Sequence, residues 1–398
     1  MRTVDAAGLR IGDDYPPRIM GVLNVSSESP YKPSVFDDPG EAAAYVDEQL
    51  IEEGADIVDV GLESANKRLD VLSAEEELER LDTAIETIES VSGDAVFSIE
   101  TRYHEVAAEA IDRGFDMVND ICGFADPEMR RVCAERDVAV AKMASPPDLS
   151  RPGAVEETPW EQRRSPAWVE AADYVDQVYE ALKQNGFTEK TLVDPAFGGW
   201  SEAKTLADDR ETLRRLREFR GFGRPILVSI NRKNFLRTVA GRETEAALPV
   251  SLAATAMAVE RGAHVIRTHD VAETRDAALI GDEFARERLT GGDSVAMEEL
   301  DIRTGGDARR YAERLGVDPE DLSRATVRTF LLSGLTAADC EALAAATADS
   351  GATFVSGNSA GTALLIGSEP ELEGVVGSSS GGSADLDIAL EPLSRAFR

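Results

Sequence analysis

Residues 55–100 read ADIVDVGLESANKRLDVLSAEEELERLDTAIETIESVSGDAVFSIE. An apolar run over 55–61 ends at a glycine and passes into a polar, basic connection that reaches Asp70. From 73 to 93 a serine followed by acidic residues opens a helical pattern, and 95–100 is a second apolar run. The two runs are almost continuously apolar rather than alternating, so the strands they predict are buried on both faces of a parallel sheet.

Working outward, the same unit recurs. Short β-like runs stand at 19–25 (IMGVLNV), 117–123 (MVNDICG), 138–144 (VAVAKMA), 191–197 (TLVDPAF), 225–230 (PILVSI) and 264–270 (HVIRTHD), each followed by a helical pattern. Segment 39–54, PGEAAAYVDEQLIEEG, starts near a proline and ends at a glycine, as a helix does. With the two runs above, eight β units result, the number that closes a TIM (β/α)8 barrel. An open doubly wound sheet is the competing α/β architecture, but no GxGxxG turn follows the first strand. The barrel is assigned to residues 1–285. Residues 286–398, beyond a Gly/Asp-rich connection, form a smaller C-terminal α/β appendage without a motif of recognisable chemistry.

The chain carries 75 Asp plus Glu against 42 Lys plus Arg, only seven of them lysine, for a net charge of −33 over 398 residues. Acidic residues are spread throughout, a surface that resists precipitation at high salt, so the composition predicts a halophilic, cytoplasmic, soluble protein. It speaks against nucleic-acid and anionic-membrane partners, which require basic patches. The N-terminus contains no apolar segment resembling a signal peptide, and no run is long enough for a membrane helix. Cys122, Cys133 and Cys340 form no CxxC pair and read as buried structural thiols.

In a TIM barrel, chemistry sits at the C-terminal ends of the strands. These ends carry Asn24, Asp59 with Glu63, Glu100, Asn119 with Asp120, Lys142, Asp194, Asn231-Arg232-Lys233, and Arg267 with His269. Glu100, Asn119 and Asp194 suit a heterocycle edge offering an amino group and a ring N–H. Arg232, Lys233, Arg267 and His269 make a cationic corner suited to phosphate or pyrophosphate. Taken singly, a strand-end Asp or Asn is more often a cap or turn former, Arg267 could pair with Asp270 or Asp276, and His104 and His264 read as structural. Their joint occurrence at one barrel end favours a site.

Six stretches, IMGVLNVSSES, GADIVDVGLES, FSIETRYHEVAAEAIDRGFDMVNDICG, LVDPAFG, ILVSINRKNFL and GAHVIRTHDV, fall in the order and spacing of dihydropteroate synthase, which this chain resembles over residues 18–280. The resemblance implies a transferase of folate biosynthesis. Such an enzyme condenses 6-hydroxymethyl-7,8-dihydropterin diphosphate with 4-aminobenzoate, uses Mg²⁺, releases pyrophosphate and forms homodimers. It implies pterin contacts from Glu100, Asn119, Asp194 and Lys233, and diphosphate contacts from Asn24, Arg267 and His269, with Asn24 also near the metal. Lys233, Arg267 and His269 are the implied catalytic residues, and another folate-pathway enzyme is a candidate partner.

The chain departs from the family pattern in places. Glu100 stands for an aspartate, the first loop reads NVSSESPYKPSVF, Ala65 and Asn66 replace a Thr and an Arg, Ala196 replaces a glycine, and Asn231 and Asn234 flank Arg232-Lys233 in place of serines. Lys67 or Arg68, or Lys32 in the facing loop, is expected to replace the missing loop cation at the diphosphate. These departures leave three alternatives: a pterin-dependent methyltransferase, a synthase using a modified arylamine, and a non-catalytic pterin-binding barrel.

Overall fold

A computed structural model of the chain describes residues 1–26, 32–63, 71–198, 201, 203–291, 297–357, 361–378 and 382–396. The chain divides into two compact units, Met1–Glu287 and Arg288–Arg398.

The first unit begins with a hairpin, β1 (Val4–Ala6) against β2 (Leu9–Ile11). Eight parallel strands follow: β3 (Arg18–Asn24), β4 (Ile57–Gly61), β5 (Val96–Thr101), β6 (Met117–Asp120), β7 (Ala139–Met143), β8 (Thr191–Asp194), β9 (Leu227–Ser229) and β10 (Val265–Thr268). They pair in the order β8-β7-β6-β5-β4-β3-β10-β9. The ring closes through a bridge between Val193 and Ile226, with Val193 N donating to Pro225 O at 2.9 Å. This is the (β/α)8 barrel.

Capping chemistry sets where the shell helices start. Ser73 accepts from Glu76 N at 3.3 Å while Glu76 Oε2 accepts from Ser73 N at 2.8 Å, a capping box that starts helix Ala74–Ser90. That helix buries Leu81, Ala84 and Ile85, the face its spacing turns toward the strands. Helix Pro39–Tyr45 continues into a π-helical stretch, Val46–Ile51, within the segment the sequence marks as one helix.

The lumen is filled in layers. Met20, Ile57, Val96, Met117, Ala139, Leu192, Leu227 and Val265 pack with Val4, Ala6 and Ile11, so the hairpin plugs the N-terminal end of the barrel. Two residues further along, on the same face by strand alternation, six of the strands turn polar: Asp59, Ser98, Asn119, Asp194, Ser229 and Arg267. The register pairs Asp59 with Ser98, Gly61 with Glu100, Glu100 with Asn119, and Met143 with Asp194.

The second unit has a short pair, β11 (Thr290–Gly291) and β12 (Met297–Glu298), and a three-stranded antiparallel sheet. In that sheet β15 (Thr362–Gly367) lies between β13 (Arg328–Ser333) and β14 (Thr353–Ser356). Leu343, Leu365, Leu372 and Leu390 form its core. The run GSSSGGSADLD reads as loose in the sequence, but its end begins helix Ala384–Ala396. Among the described residues no helix is long and apolar enough to cross a membrane. Cys122 and Cys133 are buried, as expected; Cys340 is only half-buried.

Candidate active site

The polar layer converges at the C-terminal mouth. Arg267 on β10 reaches across the lumen, its Nε donating to Asp59 Oδ2 at 2.7 Å and its NH2 to Glu100 Oε2 at 2.5 Å. Asp59 Oδ2 also accepts from Asn119 Nδ2 at 2.8 Å. The Asn119 amide nitrogen is thereby committed, and its carbonyl oxygen is the end left to accept from a ligand. Burial raises the Glu100 carboxyl above the usual carboxylate range against the opposing pull of Arg267.

Asp194 closes the pocket from β8. Its Oδ1 accepts from Ala196 N at 2.7 Å, and burial pushes its carboxyl up to about 6, opposed by that bond and by the Lys233 charge. Ala196 keeps a left-handed φ of 56° where the family has glycine, a conformation that costs an L-residue about 1–2 kcal/mol. Lys233, half-buried at the start of helix Asn234–Ala240, has its ammonium pushed down to about 8 by burial. Its stem crosses Gly198: a Cβ there would lie 2.4 Å from Lys233 Cδ.

Asn24 donates from Nδ2 to Ser34 Oγ at 3.0 Å, and Ser34 Oγ lies 3.3 Å from His269 Nδ1. Asn24 Oδ1 faces Gly61, whose Cβ, if present, would stand 3.1 Å away. One neutral oxygen of this kind fits a hard cation that arrives with phosphate oxygens and keeps its waters.

Several expectations are corrected. His269 lies just beyond β10 and is not part of a cationic corner at neutral pH. Burial, reinforced by Arg267, Lys233 and Arg232, pushes its imidazole down to about 3. Arg232 is committed to Asp270 through two bonds, Nε–Oδ2 at 3.1 Å and NH2–Oδ1 at 2.7 Å, while Arg267 pairs with Asp59 and Glu100 rather than with Asp270 or Asp276. Lys142 points out of the lumen, because alternation places its neighbour Ala141 inside. It donates to the carbonyls of Gln184 and Gly186 and lies against the rings of Phe124 and Phe187. Asp120 also faces outward and accepts from Cys122 N and Phe124 N. Lys67, Arg68, Ala65 and Asn66 lie outside the described residues, as does the side chain of Lys32.

His264 is structural, as read: its Nδ1 accepts from Ile226 N at 3.1 Å and its Nε2 lies 3.0 Å from Asp13. His104, Glu105 and Asp126 lie close enough together to hold a metal, at the starts of two shell helices. Asp126 is already the cap of helix Pro127–Glu135 and lies 2.7 Å from His104 Nδ1.

Two supports escaped the sequence reading. Arg102, almost wholly buried, binds Glu63 Oε2 at 2.6 Å and Leu149 O at 2.7 Å; Glu63 Oε1 accepts from Leu72 N at 3.2 Å, so both flanks of segment 64–70 are held. The buried pair Lys204–Asp209, 2.9 Å apart, staples the loop after β8, since Lys204 donates to Ala196 O at 2.6 Å and Asp209 accepts from Gly198 N at 2.9 Å. The only signal for either was an ionisable residue near a strand end, which dozens of surface positions share.

Two carboxylates and an amide oxygen therefore stand beside Lys233 and Arg267 at the mouth of a barrel, an arrangement consistent with a pterin binding enzyme. The chain belongs to that family, described as "Pterin binding enzyme", whose model matches residues 20–269. It is 32% identical over 270 residues to the dihydropteroate synthase of Escherichia coli K12, covering 66% of this chain and 90% of that one. It is 35% identical over 272 residues to a probable bifunctional folylpolyglutamate synthase/dihydropteroate synthase of Haloferax volcanii. That match covers 66% of this chain and 30% of the relative, so the chain spans under a third of the relative's length. The structure of the Thermus thermophilus dihydropteroate synthase in complex with 4-aminobenzoate is similar with a TM-score of 0.56 at 27% identity, covering 71% of this chain and 99% of that one.

Proposed function

We propose that the barrel condenses 6-hydroxymethyl-7,8-dihydropterin diphosphate with 4-aminobenzoate, giving 7,8-dihydropteroate and pyrophosphate in folate biosynthesis. The observation that carries the reading is the convergence of Glu100, Asn119 and Asp194 with Lys233 and Arg267 at one barrel mouth. The Asp194 and Glu100 carboxylates accept the amino and ring N–H donors of the pterin, and the Asn119 carbonyl accepts a further one. Lys233, held over Gly198, lies against the ring.

In the reaction the bond between the pterin methylene carbon and the diphosphate oxygen breaks and its electron pair leaves with pyrophosphate. The amine nitrogen then forms the new C–N bond and gives up a proton. Arg267 stabilises the departing charge, and Asn24 and the neutral His269 donate or accept hydrogen bonds beside it. Asn24 Oδ1 would hold Mg²⁺ together with the diphosphate, and the ion would supply Lewis-acid stabilisation of the leaving group. One of Lys67, Arg68 and Lys32 supplies the positive charge that the second loop otherwise lacks at Asn66.

A homodimer is part of the proposal. Helices Leu248–Glu260 and Val271–Glu283 leave Met257, Ile280 and, just beyond, Phe284 exposed, an apolar face suited to a second copy. The acidic, lysine-poor composition supports a high-salt cytoplasm, and the bifunctional Haloferax relative supports another folate-pathway enzyme as partner. The test is incubation of the purified protein at molar salt with Mg²⁺, the pterin diphosphate and 4-aminobenzoate. Formation of dihydropteroate is expected, and its absence at every salt concentration overturns the reading; sedimentation at the same salt tests the dimer.

A further inference from the structure

Side chains from four strands form one hydrogen-bonded chain across the mouth: Asn119 to Asp59, Asp59 to Arg267, Arg267 to Glu100. Its central member, Asp59, is fully buried, and its second oxygen, Oδ1, has no hydrogen-bond partner among the described residues. Asp59 therefore presents no surface to a ligand and acts through the two groups its Oδ2 holds.

Both groups need holding. A primary amide is nearly symmetric in shape and can turn over, exchanging donor for acceptor. Next to a carboxylate only the nitrogen end is tolerated, so Asp59 dictates that Asn119 offers its oxygen to the pocket. A guanidinium has five N–H donors in a rigid plane. With Nε directed at Asp59 and NH2 at Glu100, the plane of Arg267 is set and NH1 is the edge left for an anion.

We propose that Asp59 is a positioning residue that couples recognition of the heterocycle to recognition of the diphosphate, by orienting Asn119 for the one and Arg267 for the other through a single oxygen. The inference rests on the pterin diphosphate reading of the pocket. It has a thermodynamic consequence. A ligand N–H that bonds to the Asn119 carbonyl makes the Asn119 Nδ2 a stronger donor to Asp59 Oδ2, which draws charge from the Asp59–Arg267 bond, so an anion then binds Arg267 more tightly. By linkage the anion must tighten the heterocycle by the same factor.

The experiment is calorimetric titration of the full chain with 6-hydroxymethylpterin, with pyrophosphate, and with each in the presence of the other at saturation. In the wild type each ligand is expected to tighten the other by about fivefold or more, within the usual range of coupling energies. In Asp59→Asn both ligands taken singly should weaken about tenfold, the scale of one lost charge-assisted hydrogen bond, and the coupling should fall away. Asp59→Glu, which restores the charge, should recover part of the coupling. A purely structural role would lower the thermal midpoint without touching the coupling factor. The proposal is overturned if wild-type affinities for the two ligands are independent, a measurement that needs no variant to fold. It is also overturned if Asp59→Asn weakens one ligand only and keeps the coupling. A wild type that binds neither ligand instead refutes the reading of the pocket, and the coupling with it; one that binds both independently refutes the coupling alone.

Discussion

Arg267 NH2 lies 2.5 Å from Glu100 Oε2, so the arginine at the mouth of the barrel is already bonded to a carboxylate from another strand end. The contact depends on side-chain length. Shortening Glu100 to aspartate withdraws the carboxylate by about 1.5 Å, one C–C bond, which breaks the contact with Arg267 and restores the residue of the family pattern. Glu100→Asp is expected to keep turnover and to alter mainly the KM for the pterin diphosphate. Glu100→Gln, which removes the charge, should lower kcat/KM on the order of a hundredfold. Steady-state kinetics of the two variants separate length from charge; wild-type kcat/KM in Glu100→Gln would remove Glu100 from the site.

Gly198 has a left-handed φ of 92° and lies under the Lys233 stem. Gly198→Ala places a methyl 2.4 Å from Lys233 Cδ and must displace that side chain. Turnover is expected to fall at least about tenfold, with the far-ultraviolet circular dichroism unchanged because the site is in a loop. Unaltered kcat would show that Lys233 does not act from this position.

The pH dependence follows from two opposite shifts. Asp194 is raised to about 6, so its carboxylate is present above that pH and is lost as pH falls through it. Lys233 is lowered to about 8, so its ammonium is present below that pH and is lost as pH rises through it. The kcat/KM profile of the free enzyme is expected to be a bell between about 6 and 8. His269, held neutral down to about 3, adds no limb in this range. Asp194→Asn should remove the acid limb; an acid limb unchanged in that variant assigns it elsewhere.

Lys204 and Asp209 are both buried and 2.9 Å apart. Lys204→Met leaves the buried Asp209 carboxylate, in helix Leu206–Arg214, without its counter-ion, a loss of about 3–5 kcal/mol by the usual cost of a broken buried pair. Denaturant unfolding measures it, and Lys204→Met with Asp209→Leu together should recover much of the loss.

Lys67→Ala with Arg68→Ala is expected to lower kcat/KM for the pterin diphosphate by about tenfold or more, with affinity for 6-hydroxymethylpterin, which has no diphosphate, unchanged. Equal kinetics for variant and wild type would mean that neither lysine nor arginine replaces the loop cation.

The barrel was legible in the sequence because strand burial on two faces leaves a continuous apolar signature, repeated eight times with helical spacers. The mouth residues were legible because strand ends are the one place where that signature must break. Alternation along a strand was legible too, yet it was overlooked at Lys142 and Asp120: each follows an inward-facing neighbour, so each turns to the helical shell. The N-terminal hairpin gave no signal, since two three-residue strands carry too little pattern to register.

The sequence by itself determined the fold class, the order of the strands and the set of polar groups brought to one end of the barrel, because these depend on local periodicity and on a topology that admits few alternatives. Which of those groups face the same space, and in what charge state, was decided by tertiary structure. Arg232 went to Asp270, Arg267 went to Asp59 and Glu100, and His269 lost its charge to burial beside three cations. Pairing among charges depends on distances of a few ångströms between residues far apart in the chain, 208 positions for Arg267 and Asp59, and burial depends on every element around them. Neither quantity is written in any one stretch of chain.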